Sequence, residues 1–240
     1  MNFGIIAAGD GSRLAGEGVE KPKPLVELCG VPMIGRLLGI LDRVGAERIA
    51  VIVNGRMPEV ALYLEEQTRR FAGRLTVTVK NTPSSMHSFH EICGSLRDCK
   101  KYVVTTVDTI FREEDFLRYI EAWEQAPAEV DGMMAVTAYV DDEKPLWVET
   151  GEGMDIVAFR DTPWSGAKYV SGGIYGLRPE AAVVLDDCVE QGVSRMRNYQ
   201  RALVSSGQRL FAFDMGRIMD VDHASDIKKA ELWLESKLPE

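Results

Sequence analysis

The sequence predicts an α/β fold, a single domain over residues 1–240 on a doubly wound, mixed but mostly parallel sheet. Apolar runs alternate with helix-like segments through the first half, the pattern of repeated strand–helix–strand units. Strand candidates crowd the second half, and no Pro/Ser-rich linker, low-complexity stretch or internal repeat divides the two. Composition agrees: 45% hydrophobic and 27% charged residues over 240 positions describe an ordinary globular chain able to bury a core.

Taken in order, Phe3–Ala7 reads as a strand and residues 33–44 as a helix with Pro32 near its start. Arg48–Val53 reads as a strand, Pro58–Phe71 as a helix and Leu75–Val79 as a strand. A helix over 87–97 then precedes the apolar strand Tyr102–Val107. Buried apolar strands separated by helices imply parallel pairing. Met133–Tyr139, Leu146–Glu149, Ile156–Arg160 and Tyr169–Leu177 are β candidates. Helices over 179–189 and 193–205, a strand over 209–213 and a helix from Ala224 close the chain.

Several function classes fall away on composition. No apolar run approaches the roughly 20 residues of a membrane span. The opening Met-Asn-Phe-Gly lacks a basic n-region, so no secretory leader is expected. A net charge of −9 argues against a broad nucleic-acid surface, while leaving room for a small basic pocket. Cys29, Cys93, Cys99 and Cys188 form no C-x-x-C pair, which argues against a zinc site or a redox motif. The expectation is a cytoplasmic protein with reduced thiols.

Gly4-Ile5-Ile6-Ala7-Ala8-Gly9-Asp10-Gly11-Ser12-Arg13-Leu14 is the most informative stretch, a short strand running into a glycine-bearing turn. Arg13, Lys21 and Lys23 follow closely. A loop of this kind presents backbone N–H groups to phosphates, and fixed cations compensate their charge. It is not a Walker A loop, because G-x-x-x-x-G-K-[ST] spacing is missing. Nor is it a dinucleotide fingerprint: Leu14 stands where the third glycine belongs, which weakens a dinucleotide-dependent oxidoreductase reading. Glycines that merely serve a turn are the plain alternative.

The run Ala7-Ala8-Gly9-x-Gly11-Ser12-Arg13-Leu14, then Lys21-Pro22-Lys23-Pro24-Leu25-Val26, then Gly30-x-Pro32-Met33-Ile34, resembles the N-terminal signature of the nucleotidyltransferase superfamily. That superfamily includes sugar-1-phosphate nucleotidylyltransferases and phosphocholine cytidylyltransferases. The resemblance is densest over residues 3–35, recurs near Asp108 and Gly173, and returns over 218–230. It implies a Rossmann-like fold of the nucleotide-diphospho-sugar transferase type. It also implies that Ala7, Ala8, Gly9, Gly11 and Ser12 wrap a nucleotide while Arg13 and Lys23 act on its phosphates. Lys21 sits one step outside the pattern. No left-handed β-helix follows, so no acyltransferase activity is expected.

Asp108 ends the apolar strand Tyr102–Val107, on the sheet edge where ligands bind in open α/β folds. There it suits either a divalent cation or a turn. The resemblance selects the cation, since Val107-Asp108-Thr109-Ile110 is similar to the family's metal-binding motif. In Asp220-Val221-Asp222, alternation puts both carboxylates on one side of an extended segment. Helix capping by Asp222, with Asp226 in the first turn, is the competing reading. The resemblance places metal-binding acids here, so Asp108, Asp220 and Asp222 are the expected Mg2+ ligands.

The segment Asn81–Phe89 falls where the family contacts the base, and Ser85 and Ser88 are the candidate readers there. Capping by Ser84 or Ser85 is equally consistent. His87 and His90 lack a third partner for a metal site. Tyr169–Gly176 resembles the family's G-I-Y strand beside the acceptor, which points to Gly173, Lys168 and Arg160. The family's E-K-P motif is replaced by Arg160-Asp161-Thr162-Pro163, which weighs against a common sugar-1-phosphate acceptor. The resulting expectation is a magnesium-dependent nucleotidyltransferase joining CTP, UTP or dTTP to a sugar-1-phosphate or phospho-alcohol such as phosphocholine, with a homo-oligomer possible in principle. A noncatalytic nucleotide-binding module is the alternative.

Overall fold

Asn2–Ala7 forms β1, buried along nearly its whole length as an interior parallel strand must be. The structure is a computed structural model that describes residues 1–236; residues 237–240 of the expected domain lie outside the described residues. A short helix α1 (Ser12–Gly16) and a 3-10 turn at Lys23–Leu25 follow β1. Two-residue strands β2 (Glu27–Leu28) and β3 (Val31–Pro32) pair as a small hairpin. Helix α2 (Met33–Arg43) begins directly after Pro32. Strand β4 (Arg48–Val53), helix α3 (Pro58–Arg70) and strand β5 (Leu75–Val79) agree with the expected elements to within a residue.

Helix α4 (Ser85–Gly94) starts two residues before the expected 87, with Ser84 at its N-cap. Strands β6 (Tyr102–Thr106) and β7 (Thr109–Ile110) come next. Helix α5 (Glu113–Gln125) stands where no element is expected, although its signals are ordinary. Glu113, Glu114 and Asp115 favour the first turn, and Phe116, Tyr119, Ile120 and Trp123 form the buried face at helical spacing. The chain continues through β8 (Gly132–Thr137), β9 (Trp147–Thr150), β10 (Ile156–Arg160), β11 (Tyr169–Leu177), α6 (Pro179–Glu190) and α7 (Met196–Ser205). Strands β12 (Leu210–Asp214) and β13 (Met219–Asp220) and helix α8 (Ala224–Glu235) complete it.

Strands β5, β4, β1 and β6 are parallel neighbours in a nine-stranded sheet. β11 runs antiparallel to β6 and carries β8 on its other edge, with β12 parallel beyond. Towards its start β11 pairs with β9, and β9 with β10. Only β10 and β11 oppose the common direction, so the sheet is mixed and mostly parallel as the sequence predicts. Alternation along β1 sends Phe3, Ile5 and Ala7 into a core with α2, α3, α5 and α8, and Ile6 into a second core with α4, α6 and α7. No described helix is long and apolar enough to cross a membrane. The loops that leave β1, β4, β5 and β6 all emerge at one sheet edge, where an open α/β sheet presents its binding crevice.

Candidate functional site

A cleft of about 500 Å³ opens at that edge. Its size lies within the roughly 300–1,000 Å³ of small-molecule sites. Ala8, Gly9, Gly11 and Ser12 line it from the loop after β1. Gly11 adopts φ 59°, and a Cβ there would lie 2.8 Å from Lys23 Cβ, so the turn and the close approach both demand glycine. Leu14 is 1% exposed and packs into the core, anchoring the loop from beneath.

Charge concentrates on one wall. Lys23 is 9% exposed, and its Nζ contacts Asp108 and, at 2.6 Å, Asp222. Burial opposes a charged lysine, but the two carboxylates outweigh it and hold the Lys23 pKa above the ordinary value. Arg13 NH1 donates to the other Asp222 oxygen at 2.7 Å. Asp222 therefore faces the cleft and does not cap α8. His223 takes the N-cap place, and Asp226 Oδ2 accepts the backbone N–H groups of Asp222 and His223.

Asp220 lies beside this group and accepts the Thr109 hydroxyl at 3.1 Å. Its side chain is exposed on the cavity side, while the protein around its carboxylate removes water from the rest; that desolvation, ahead of the negative charge of Asp108, raises its pKa above the ordinary carboxylate value. Among the described residues no three acids, histidines or cysteines converge closely enough to hold a metal ion unaided. The donors that are present, hard carboxylate oxygens from Asp108 and Asp220, suit magnesium, which takes one or two carboxylates and completes its shell with phosphates and water.

A second cavity of about 170 Å³ adjoins the cleft and shares Arg13 and Asp222 with it. Asp220, Gly172, Thr137, His223 and Lys229 are among its walls. Gly173 is not in the wall but permits it. Its φ is 73°, and a Cβ would meet Thr109 Oγ1 at 2.7 Å, displacing the hydroxyl that Asp220 accepts.

The expected residues divide. Ala8, Gly9, Gly11, Ser12, Arg13, Lys23, Ser85, Ser88, Asp108 and Asp222 line the cleft, Asp220 lines the second cavity, and Ala7 ends β1 beneath the loop. Ser88 pairs with Thr82 at 2.6 Å. Ser84 turns its hydroxyl to His87 Nδ1 at 2.8 Å and makes no side-chain cap bond. His90 is tied to Asp186 on α6. Lys168 and Arg160 line neither cavity: Lys168 donates to the Tyr169 hydroxyl, and Arg160 pairs with Glu149 across the outer strands β9 and β10. Lys21 pairs with Glu27 instead of lining the cleft. Asn54 and Arg56, which the sequence reading does not select, line the cleft beside Asp10, to which both are bonded. Their signal was the rule that selected Asp108, polar residues directly after a buried strand.

The same loops and sheet recur in known proteins. A family model for the MobA-like NTP transferase domain matches residues 4–152. The 2-aminoethylphosphonate cytidylyltransferase of Lancefieldella rimae is 44% identical over 63 residues, 26% of this chain and 25% of that protein. The CMP-5'-(3-aminopropyl)phosphonate synthase of Streptomyces rubellomurinus is 29% identical over 94 residues, 37% of this chain and 14% of that protein. The matches thus span a quarter or less of either relative's length. Among solved structures, the inositol-1-phosphate CTP transferase from T. maritima superposes with a TM-score of 0.78 at 16% identity, covering 99% of this chain and 97% of that one. A glycine loop, a buried lysine between acids and an α/β sheet of this order coincide with a family match that covers the cleft's loops from β1 to β6: the chain belongs to the MobA-like NTP transferase domain family.

Proposed function

We propose that the protein is a nucleotidyltransferase of the cytidylyltransferase type, which transfers CMP from CTP to a phosphonate or phosphomonoester oxygen and releases pyrophosphate. The observation that carries this reading is the meeting of two cavities at Arg13 and Asp222, beside Lys23, Asp108 and Asp220. A transferase needs two substrates side by side, with charge at the joint where they react. The names of the two relatives support a cytidylyl donor and a phosphonate acceptor.

In this reading the larger cleft takes the nucleotide. Backbone N–H groups around Gly9–Ser12 face its phosphates, and the hydroxyls of Thr82, Ser85 and Ser88 meet the base. The acceptor oxygen attacks the α-phosphorus in line. A new P–O bond forms, the bond to the oxygen bridging α- and β-phosphates breaks, and its electron pair leaves with pyrophosphate. Lys23 and Arg13 exchange their carboxylate partners for phosphate oxygens and offset the charge that develops on the leaving group. Asp108 and Asp220 would hold magnesium, which, when bound, supplies positive charge to the phosphates.

Pyrophosphate release tests the proposal. CTP with magnesium and a phosphonate acceptor should support release, UTP and dTTP should support less, and EDTA should abolish it. Release without preference for CTP overturns the cytidylyl assignment. No release with any nucleotide and acceptor overturns the transferase assignment.

A further inference from the structure

Asp220 is held in place by a neighbour that the transferase reading does not use. Strands β7 and β13 form a two-residue antiparallel ladder in which Thr109 stands opposite Asp220 and Ile110 opposite Met219. The Val221 N–H donates to the Asp108 carbonyl at 3.1 Å beside this ladder. Directly opposed residues share a face, and alternation sends the next pair to the other. Ile110 and Met219 enter the core, so Thr109 and Asp220 share the opposite face. Thr109 itself lines neither cavity.

Thr109 is 2% exposed, and its Oγ1 lies between Thr106 Oγ1 at 2.6 Å and Asp220 Oδ1 at 3.1 Å. A metal-bound carboxylate is ionised and only accepts, so the Thr109 proton goes to Asp220 and the Thr106 proton to Thr109. The result is a one-way relay, from Thr106 on the wall of the nucleotide cleft to Asp220 on the wall of the second cavity. It occupies one carboxylate oxygen and leaves the other. Asp220 Oδ2 has no hydrogen-bond donor among the described residues. Strand β11 is shaped around the relay. Its register shifts between Ser171 and Tyr175, and a Cβ on Gly173 would stand 2.7 Å from Thr109 Oγ1 and 3.5 Å from Thr106 Oγ1. β-Branching restricts the Thr109 side chain to few rotamers, which keeps the hydroxyl in this slot.

We propose that Thr109 is a positioning residue of the metal site: its hydroxyl, aligned by Thr106, holds Asp220 Oδ1 so that Oδ2 is presented to the divalent cation. This rests on the transferase reading and extends it to a residue that touches neither substrate. Groups that hydrogen-bond a metal-ligating side chain fix its orientation, and their loss weakens the metal even though every ligand remains. A threonine that only filled space would make a different demand. Valine, of nearly the same shape, would then serve as well.

Manganese takes the same oxygen ligands as magnesium and is visible by electron paramagnetic resonance, so it reads this role without turnover. The full chain, with CTP and no acceptor, is titrated with Mn2+. Thr109→Val keeps the shape and removes the hydroxyl, and should weaken Mn2+ binding about tenfold or more, the scale for losing a group that orients a metal ligand. Thr109→Ser keeps the hydroxyl and should bind Mn2+ nearer to the wild type than to the valine variant. CTP affinity in EDTA should be the same for all three, and under turnover the valine variant should lose kcat with KM for CTP unchanged. Thr109→Ala replaces the valine variant should that one not fold. Mn2+ binding indifferent to the hydroxyl, an equal loss in the serine and valine variants, or no Mn2+ binding by the wild type overturns the proposal. So does a loss of CTP affinity in EDTA as large as the loss of Mn2+ affinity. Hydroxyl-dependent Mn2+ binding by a protein that transfers no CMP would instead overturn the transferase reading and leave the role of Thr109 standing.

Discussion

Lys23 keeps its charge in a nearly closed position because Asp108 and Asp222 hold it there, and Asp222 is held in turn by Arg13. Removing either end of this chain of charges should be felt in catalysis before folding. Lys23→Ala and Asp108→Ala should each lower pyrophosphate release by about 100-fold or more, the scale for losing one group that stabilises transition-state charge. Their far-UV circular dichroism should be unchanged, and near-normal turnover in either folded variant would refute the roles assigned to Lys23 and Asp108. His223 offers a pH test. Its hydrogen bond to Glu17 raises its pKa above the ordinary 6.5, while the same bond lowers Glu17 below 4.5. The sign follows: the His223 contribution is complete below its unfolded pKa and fades as pH rises through the raised folded value. The Glu17 contribution is complete above its unfolded pKa and fades as pH falls through the lowered one. With only three histidines in the chain, an NMR titration should show His223 above 6.5, and Glu17→Gln should return it towards that value. At this scale Arg13, Lys23 and Asp108 were legible because they flank a strand end at motif spacing. Asn54 and Arg56 obey the same rule but carry no motif.

At the scale of elements, most boundaries were readable because helix and strand periods are local. Helix α5 was missed, although its acidic first turn and its Phe116–Trp123 face are equally local signals. The register of β11 against β8 shifts between Ser171 and Tyr175, and this bulge was only half readable. Gly172 and Gly173 announce a close approach, but their partners, Ile218 and Thr109, lie outside the strand. Gly173→Ala forces a Cβ to 2.7 Å from Thr109 Oγ1 at a φ of 73°. It should cost about 1–3 kcal/mol, the range for backbone strain of this kind. Gly9→Ala, with nothing within 4 Å of its added Cβ, should stay within about 0.5 kcal/mol. Urea denaturation of the two variants checks the contrast, and equal midpoints would mean that β11 does not approach Thr109 as described.

The whole molecule packs two cores on one sheet, and the cysteines report on that packing. Cys93, Cys99 and Cys188 are buried, whereas Cys29 is exposed beside Glu231. Burial pushes the Cys93 thiol up to about 12, so it is both hidden and protonated at neutral pH. A thiol reagent should modify one of the four cysteines in native protein and all four in denaturant. Modification of a second native thiol at a comparable rate would show that the α4–α6–α7 face is open.

By itself the sequence determined the parallel strands, the glycine loop after β1 and the acids that end strands, because each is written in spacings of a few residues. Only the tertiary structure decided which charges meet. Arg13 and Asp222 are 209 residues apart, Lys23 and Asp222 199, and Asp141 and Lys229 88. It also removed Arg160 and Lys168 from the cavities by pairing them elsewhere. Charge pairing across such separations has no sequence period. It arises when burial of the two cores brings distant loops to one edge of the sheet.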